Sequence, residues 1–191
     1  MVKWLGCLGV LAVVVLVVGG MALGTYNSLV SLSQAVDSQW AQVENQYQRR
    51  ADLVPNLVAT VKGVTKQEDT VFISIAEARA KLAGAVQRGD PREMAEANDA
   101  LTGPLSRLLA ISENYPQLRS SENFRALQDE LTGTENRISV ARQDYNNAVG
   151  QYNAYIRRFP YNLTAKIFGM GKPREYFEAK AGTEEAPKVQ F

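Results

Sequence analysis

Two groups of polar side chains hold most of the chemistry available to this chain. Glu44, Asn45 and Gln46 precede Arg49 and Arg50, and Glu135, Asn136 and Arg137 precede Arg142 and Asn146. Carboxylates, carboxamides and guanidinium groups so spaced can pair across helices and set their register, or can form a polar band that binds a ligand. Register is the reading adopted, because isolated polar groups in an apolar helical seam specify pairing. For Arg49 and Arg50 beside Asp52, an exposed helix face is expected rather than an anion site. Glu113 and Glu135 offer a paired-carboxylate acid and base, but nothing in the sequence brings them together. Gly169-Met170-Gly171-Lys172 has neither the Walker spacing, the following Ser or Thr, nor a preceding strand, and reads as a turn. Tyr145, Tyr152, Tyr155 and Phe159 form a stripe that could grip a peptide or glycan, but heptad spacing points to core packing.

Composition narrows the chemistry further. The chain has no histidine and a single cysteine, Cys7. The commonest general base and metal ligand is therefore absent, as is every Ser-His or Cys-His nucleophile pair. Cys7 lies in an apolar run, so thiolate chemistry is not expected in the polar part of the chain. No catalytic residue, cofactor or metal site is assigned. With Lys3 set aside, residues 25–191 carry equal numbers of acidic and basic side chains, which argues against a nucleic-acid partner and gives no electrostatic case for an anionic membrane surface.

The elements that position these groups read as helices. Phe124, Leu127, Leu131, Thr134, Ile138, Ala141, Tyr145, Ala148, Tyr152, Tyr155 and Phe159 alternate at spacings of three and four. One long helix follows, with Ser120 or Ser121 as its N-cap and Pro160 as its stop. Leu29, Leu32, Val36, Trp40, Val43, Tyr47, Val54, Leu57, Val61 and Val64 form a second seam, with Arg50 or Ala51 at its weak step. Pro55 predicts a kink or short break over residues 50–55, with Asp52 able to cap a restarted helix. A third helix, around residues 70–88, carries Val71, Ile75, Ala78, Leu82, Ala85 and Val86 and ends at Gly89. It can also run straight on from the second. Asp90-Pro91-Arg92-Glu93 has the form of a capping box. The helix it opens buries Met94, Ala97, Leu101, Leu105, Leu108 and Ser112 or Ile111, bends at Gly103-Pro104 and ends before Tyr115-Pro116. Residues 162–168 add one or two turns, Tyr176-Phe177 pack back on the bundle end, and residues 181–191 form a mobile tail. No segment alternates long enough to be a strand. The soluble part is all-α, an elongated antiparallel bundle of four-helix type with short connections at Gly89 and at residues 116–120.

Residues 4–24 are uncharged and rich in Val and Leu. At about 1.5 Å per residue they span the hydrocarbon thickness of a bilayer. Trp4 and Tyr26 flank the run, and Lys3 is the only charged side chain before Asp37. Ala22-Leu23-Gly24 offers a signal-cleavage alternative, but the run exceeds a signal's apolar region, so a retained anchor is expected. No Lys or Arg occurs over residues 21–48, which puts the N-terminus in the cytoplasm and the remainder outside. The expected divisions are an anchor at 1–24, a bundle at 25–160 and a short helix with tail at 161–191.

Ordered motifs give the chain a family likeness. They include Tyr26-Asn27-Ser28-Leu29-Val30, Trp40-Ala41-Gln42-Val43-Glu44-Asn45-Gln46-Tyr47-Gln48-Arg49-Arg50 and Asp52-Leu53-Val54-Pro55-Asn56-Leu57-Val58. Further along stand Glu77-Ala78-Arg79-Ala80, Ser112-Glu113-Asn114-Tyr115-Pro116, Glu135-Asn136-Arg137-Ile138, Asp144-Tyr145-Asn146 and Tyr176-Phe177. In these the chain resembles the LemA family of bacterial membrane-anchored helical proteins. The resemblance implies a transmembrane helix followed by an antiparallel helical bundle, and no established reaction or ligand. Pro104 and Val64-Thr65-Lys66-Gln67 depart from the usual pattern.

The functional expectation is a non-catalytic, single-pass protein of the bacterial cytoplasmic membrane. It would meet lipid through residues 4–24 and protein partners at the cell envelope, as scaffold, adaptor or sensor. Its seams can be satisfied within one chain or between copies. A small-molecule or lipid-binding module with a pocket near Pro55 is the alternative, and a carboxylate hydrolase ranks last. The seam begins at Leu29, five residues past the apolar run, so the anchor is expected to pass straight into the first bundle helix.

Overall fold

The computed structural model describes residues 2–64 and 69–178, with side chains from residue 9 onward. The described residues form six helices and no strand: α1 (Val2–Lys62), α2 (Asp69–Arg88), α3 (Pro91–Ser112), α4 (Pro116–Ser120), α5 (Glu122–Tyr155) and α6 (Tyr161–Ile167). The tail expected at 181–191 lies outside the described residues, as does most of the link between α1 and α2.

Local signals account for most helix ends. The Asp90 carboxylate accepts from the backbone N–H of Arg92 at 2.8 Å and of Glu93 at 3.0 Å, which satisfies two of the donors a helix start leaves open. The Glu93 carboxylate turns instead to Arg88 across the α2–α3 connection, so the predicted capping box forms only in its first half. Gly89 closes α2 at φ +67°, a conformation that a Cβ would strain, and donates its N–H to the Ala85 carbonyl at 3.1 Å. Ser121 caps α5 by accepting from the Phe124 N–H at 3.4 Å. Residues 116–120, expected as a plain connection, make the short α4 instead, with Pro116 at the first helical position.

The two internal prolines do not break their helices. α1 runs through Pro55 with no interruption, which corrects the expected break and leaves Asp52 as a mid-helix residue accepting from the Gln48 carboxamide at 3.0 Å. The physical reason is a replacement donor. Proline lacks the N–H that the Ala51 carbonyl would accept, and the Arg79 guanidinium of α2 donates to that carbonyl at 2.8 Å. α3 likewise continues through Pro104, where the carbonyl deprived of its partner belongs to exposed Ala100 and can be met by solvent. We expect Arg79→Met to lower the unfolding free energy by about 1.5 kcal/mol. The loss should shrink in a Pro55→Ala background, where the peptide N–H returns. Equal losses in both backgrounds, read from urea unfolding, would show that Arg79 does not replace the missing donor.

The described residues divide into two compact units, one within Met1–Gln39 and Tyr145–Glu175 and the other within Trp40–Asp144 and Tyr176–Phe191. In the second unit, Val43, Tyr47, Val54, Leu57 and Val61 of α1 are buried, with Phe72, Ile75 and Leu82 of α2. Met94, Leu101, Leu105 and Leu108 of α3 and Phe124, Leu131 and Ile138 of α5 complete that core. Burying each such side chain contributes about 1.5–3 kcal/mol. Phe72 takes the core position expected for Val71, one residue along.

In the first unit, Leu29 and Val36 of α1 are buried, and so are Tyr145, Val149, Tyr152 and Ile156. The predicted seam slips here. Val149 and Ile156 replace Ala148 and Tyr155, and Phe159 is 79% exposed. A heptad pattern drifts about 20° per repeat on a helix of 3.6 residues per turn, so a seam counted by sevens leaves the buried face by its end. The tyrosines bind the chain's own backbone: Tyr152 donates to the Met170 carbonyl at 2.7 Å and Tyr145 to the Glu175 carbonyl at 3.0 Å. Burial raises both phenols above their usual pKa and keeps them as donors. Asn153 adds a reciprocal pair with the Arg174 backbone, at 2.9 and 2.8 Å.

Candidate functional site: a buried arginine

Of the polar residues singled out in the sequence, Arg50 has the most unusual surroundings. It sits on α1 one turn after Tyr47 and one turn before Val54, so the 3.6-residue repeat carries it into the core, where its side chain is 4% exposed. This corrects the expectation of an exposed face for this residue. Its guanidinium donates to Asn98 Oδ1 at 2.7 Å and to the Thr102 hydroxyl at 3.2 Å, both on α3, and forms an ion pair with Glu135 of α5. The Thr102 hydroxyl in turn donates to the backbone carbonyl of Asn98 at 3.1 Å. One side chain thus joins three helices.

Burial pulls the Arg50 guanidinium below its usual pKa, opposed by the Tyr47 hydroxyl and Asp99. Burial pushes the Tyr47 hydroxyl up, against the pull of Arg142. Gln46 Oε1 and Arg50 Nε are buried without a hydrogen-bond partner among the described residues, which makes this stretch of α1 a costly polar band inside an apolar bundle.

The other candidates separate into different surroundings. Arg49 is exposed and pairs with Glu130 at 2.7 Å, and Arg137 reaches the same Glu130 carboxylate at 2.6 Å. Exposed pairs of this kind contribute at most about 1 kcal/mol. Arg142 lies with its guanidinium carbon 5.1 Å from the centre of the Phe177 ring and donates to the Glu178 carbonyl at 3.2 Å. Glu44 and Asn146 are half-buried, while Asn45 and Asn136 face outward. Glu135 is taken by Arg50, whereas Glu113 is the C-cap residue of α3, where its backbone N–H donates to the Ala110 and Ile111 carbonyls.

Asn98, Thr102, Glu130 and Asp99 escaped the sequence reading. For Asn98 a signal exists: Met94, Asn98, Leu101, Leu105, Leu108 and Ser112 recur at spacings of four and three, which puts the carboxamide in the buried seam. Of Tyr176-Phe177, only Phe177 packs inward, stacked on Trp40 with ring centres 5.7 Å apart, and Tyr176 is exposed.

A separate cavity of about 870 Å³ opens where α3, α4 and α5 meet. Leu109, Pro116 and Phe124 give it apolar walls, and Arg119, Arg125 and Glu113 bring charge. It does not lie at Pro55, where the sequence reading expects a pocket. Among the described residues no cluster of three or more potential metal ligands occurs.

Comparison with known proteins places the chain among relatives. The chain is 28% identical over 180 aligned residues to magnetosome protein MamQ 2 of Paramagnetospirillum magneticum, covering 81% of this chain and 65% of that protein. It is 23% identical to magnetosome protein MamQ of Magnetospirillum gryphiswaldense, covering 82% and 66%. Protein LemA of Metamycoplasma hominis is 22% identical over 145 residues, covering 75% and 65%. The chain spans about 65% of the length of these curated relatives. The profile described as LemA family matches residues 39–191, and the chain belongs to the LemA family.

Proposed function

We propose that this protein is a single-pass, non-catalytic membrane protein that presents a helical bundle to partners at the cell envelope, as scaffold, adaptor or sensor. One observation carries the reading. α1 is a single helix whose valines and leucines from Val10 to Val18 are more than half exposed, while the same helix supplies buried core residues from Leu29 to Val61. Water does not tolerate so long an apolar face, and the length suits a bilayer. Among the described residues it is the one helix long and apolar enough to cross a membrane. The names of its relatives state a cell structure or a family and no reaction.

The orientation proposed is N-terminus in the cytoplasm and bundle outside, from Lys3 and the absence of Lys and Arg over residues 21–48. An alkaline phosphatase fused after Phe191 is expected to be active. A reporter active there only in the cytoplasm would overturn the orientation. The non-catalytic role fails if an activity screen of the full chain finds turnover that a single carboxylate substitution abolishes. Crosslinking and affinity capture from the native membrane would identify the partners. The rigid junction is tested by replacing Thr25, Tyr26, Asn27 and Ser28 with a flexible linker: unchanged partner capture would mean that the anchor only localises.

A binding role is the second reading, supported by the cavity between α3, α4 and α5. Its volume falls within the usual range for small-ligand sites, and Arg119 and Arg125 line it beside Leu109, Pro116 and Phe124. A thermal-shift panel of acidic envelope metabolites that leaves the melting temperature unmoved would count against it.

A further inference from the structure

Overall charge balance conceals a strong local asymmetry. From Tyr145 to Arg174 the chain contains no Asp or Glu, whereas Arg157, Arg158, Lys166, Lys172 and Arg174 are all basic. Arg174 pairs with Asp37 at 3.1 Å. The other four are exposed and form no ion pair among the described residues. The charge balance of residues 25–191 as a whole thus coexists with a basic stretch in this unit.

The same segment exposes large apolar side chains. Phe159 and Ile167 are each 79% exposed, Leu163 is 53% and Phe168 is 46%. Leu163 and Ile167 lie four residues apart on α6 and so share a face, while Ala165 turns inward. A helix of this pattern, apolar on one face with cations beside it, suits the boundary between headgroups and acyl chains.

Its height along α1 is set by direct contact. The Phe168 and Tyr26 rings are 4.7 Å apart between centres. Tyr26 stands two residues beyond the apolar run, about 3 Å along the helix axis. The interfacial layer on each side of the hydrocarbon core is roughly 5–8 Å deep. The chain then moves away from the apolar run, since Arg174 meets Ser33 at 3.2 Å as well as Asp37. Only the α6 end of this segment lies at interfacial height.

We propose that α6, with Phe159 and Phe168, lies in the headgroup layer of the bilayer that α1 crosses, and that Arg157, Arg158, Lys166 and Lys172 contact anionic lipid headgroups. The inference rests on the reading of α1 as a membrane span. Two contacts with one surface, a crossing helix and a lateral one, restrain this unit against rotation about the α1 axis. The partner is the lipid surface, recognised by negative charge over an apolar interior.

The test uses the full chain with Cys7→Ser, reconstituted into phosphatidylcholine vesicles with or without phosphatidylglycerol. An environment-sensitive fluorophore is attached through Val14→Cys, Ile167→Cys or Val140→Cys, the last two being exposed positions that tolerate a label. Quenchers carried on lipid acyl chains near the headgroups should quench the Ile167→Cys label and blue-shift its emission, with Val140→Cys unaffected. Removing Arg157 and Arg158 charges by Gln substitution should lower the ratio of docked to undocked α6 about fivefold per charge in phosphatidylglycerol vesicles. A Val14→Cys label protected by lipid beside an Ile167→Cys label that behaves like Val140→Cys would overturn the inference and leave the anchor intact. If Val14→Cys is also unprotected, the span itself fails, and the inference with it. Docking that ignores phosphatidylglycerol and both Gln substitutions would overturn the role of the basic residues.

Discussion

Replacing Asn98 with alanine lowers the unfolding free energy by about 3 kcal/mol, a larger loss than any surface substitution in the bundle should cause. The reason lies in what remains. Arg50 stays buried and charged, its 2.7 Å acceptor is gone, and its Nε is already without a partner. Glu135 offsets little of this, because its side chain is 53% exposed and its attraction is screened by solvent. Substituting both residues with apolar ones of similar size, Arg50→Met with Asn98→Leu, removes the buried charge together with its partner and should cost less than Asn98→Ala alone. Urea unfolding of the detergent-solubilised chain measures all three. An Asn98→Ala loss below about 1 kcal/mol would mean that solvent reaches the guanidinium, and the register role would fall.

A comparable loss, again about 3 kcal/mol, is expected for Phe177→Ala. The side chain is 4% exposed, stacks on Trp40, lies 6.5 Å from the Tyr47 ring centre and sits beneath the Arg142 guanidinium. Alanine leaves a cavity against two aromatic rings and removes the cation–π contact. Trp40 is also a reporter. With Trp4→Phe as background, its emission should shift to the red as its stacking partner disappears. Tyr176→Ala, at a 46% exposed neighbour, should change stability by less than about 0.5 kcal/mol. Unchanged Trp40 emission in Phe177→Ala would show that the C-terminal segment does not rest on α1 in solution.

Much of this was legible in the residues. The seams of α1 and α3, the Asp90 cap, the left-handed Gly89 and the Ser121 cap all follow from interactions within a few residues of one another. The α5 seam was readable until its period mattered, and the drift from Ala148 to Val149 shows how a heptad count fails over a long helix. The candidate site was half visible. Arg50 and Glu135 stand out by type, but Asn98 and Thr102 come from 48 and 52 residues away along the chain. No spacing rule connects residues so far apart.

By itself the sequence determined an all-helical protein with an apolar first segment, because helix periodicity, capping and apolar length are local properties that a single strand of residues carries. Tertiary structure alone decided which groups meet. Pro55 breaks nothing because Arg79 of another helix satisfies the Ala51 carbonyl, and Arg50 is interior because α3 and α5 bring acceptors to it. In each case a buried polar group demands a partner, and only packing between helices specifies who supplies it.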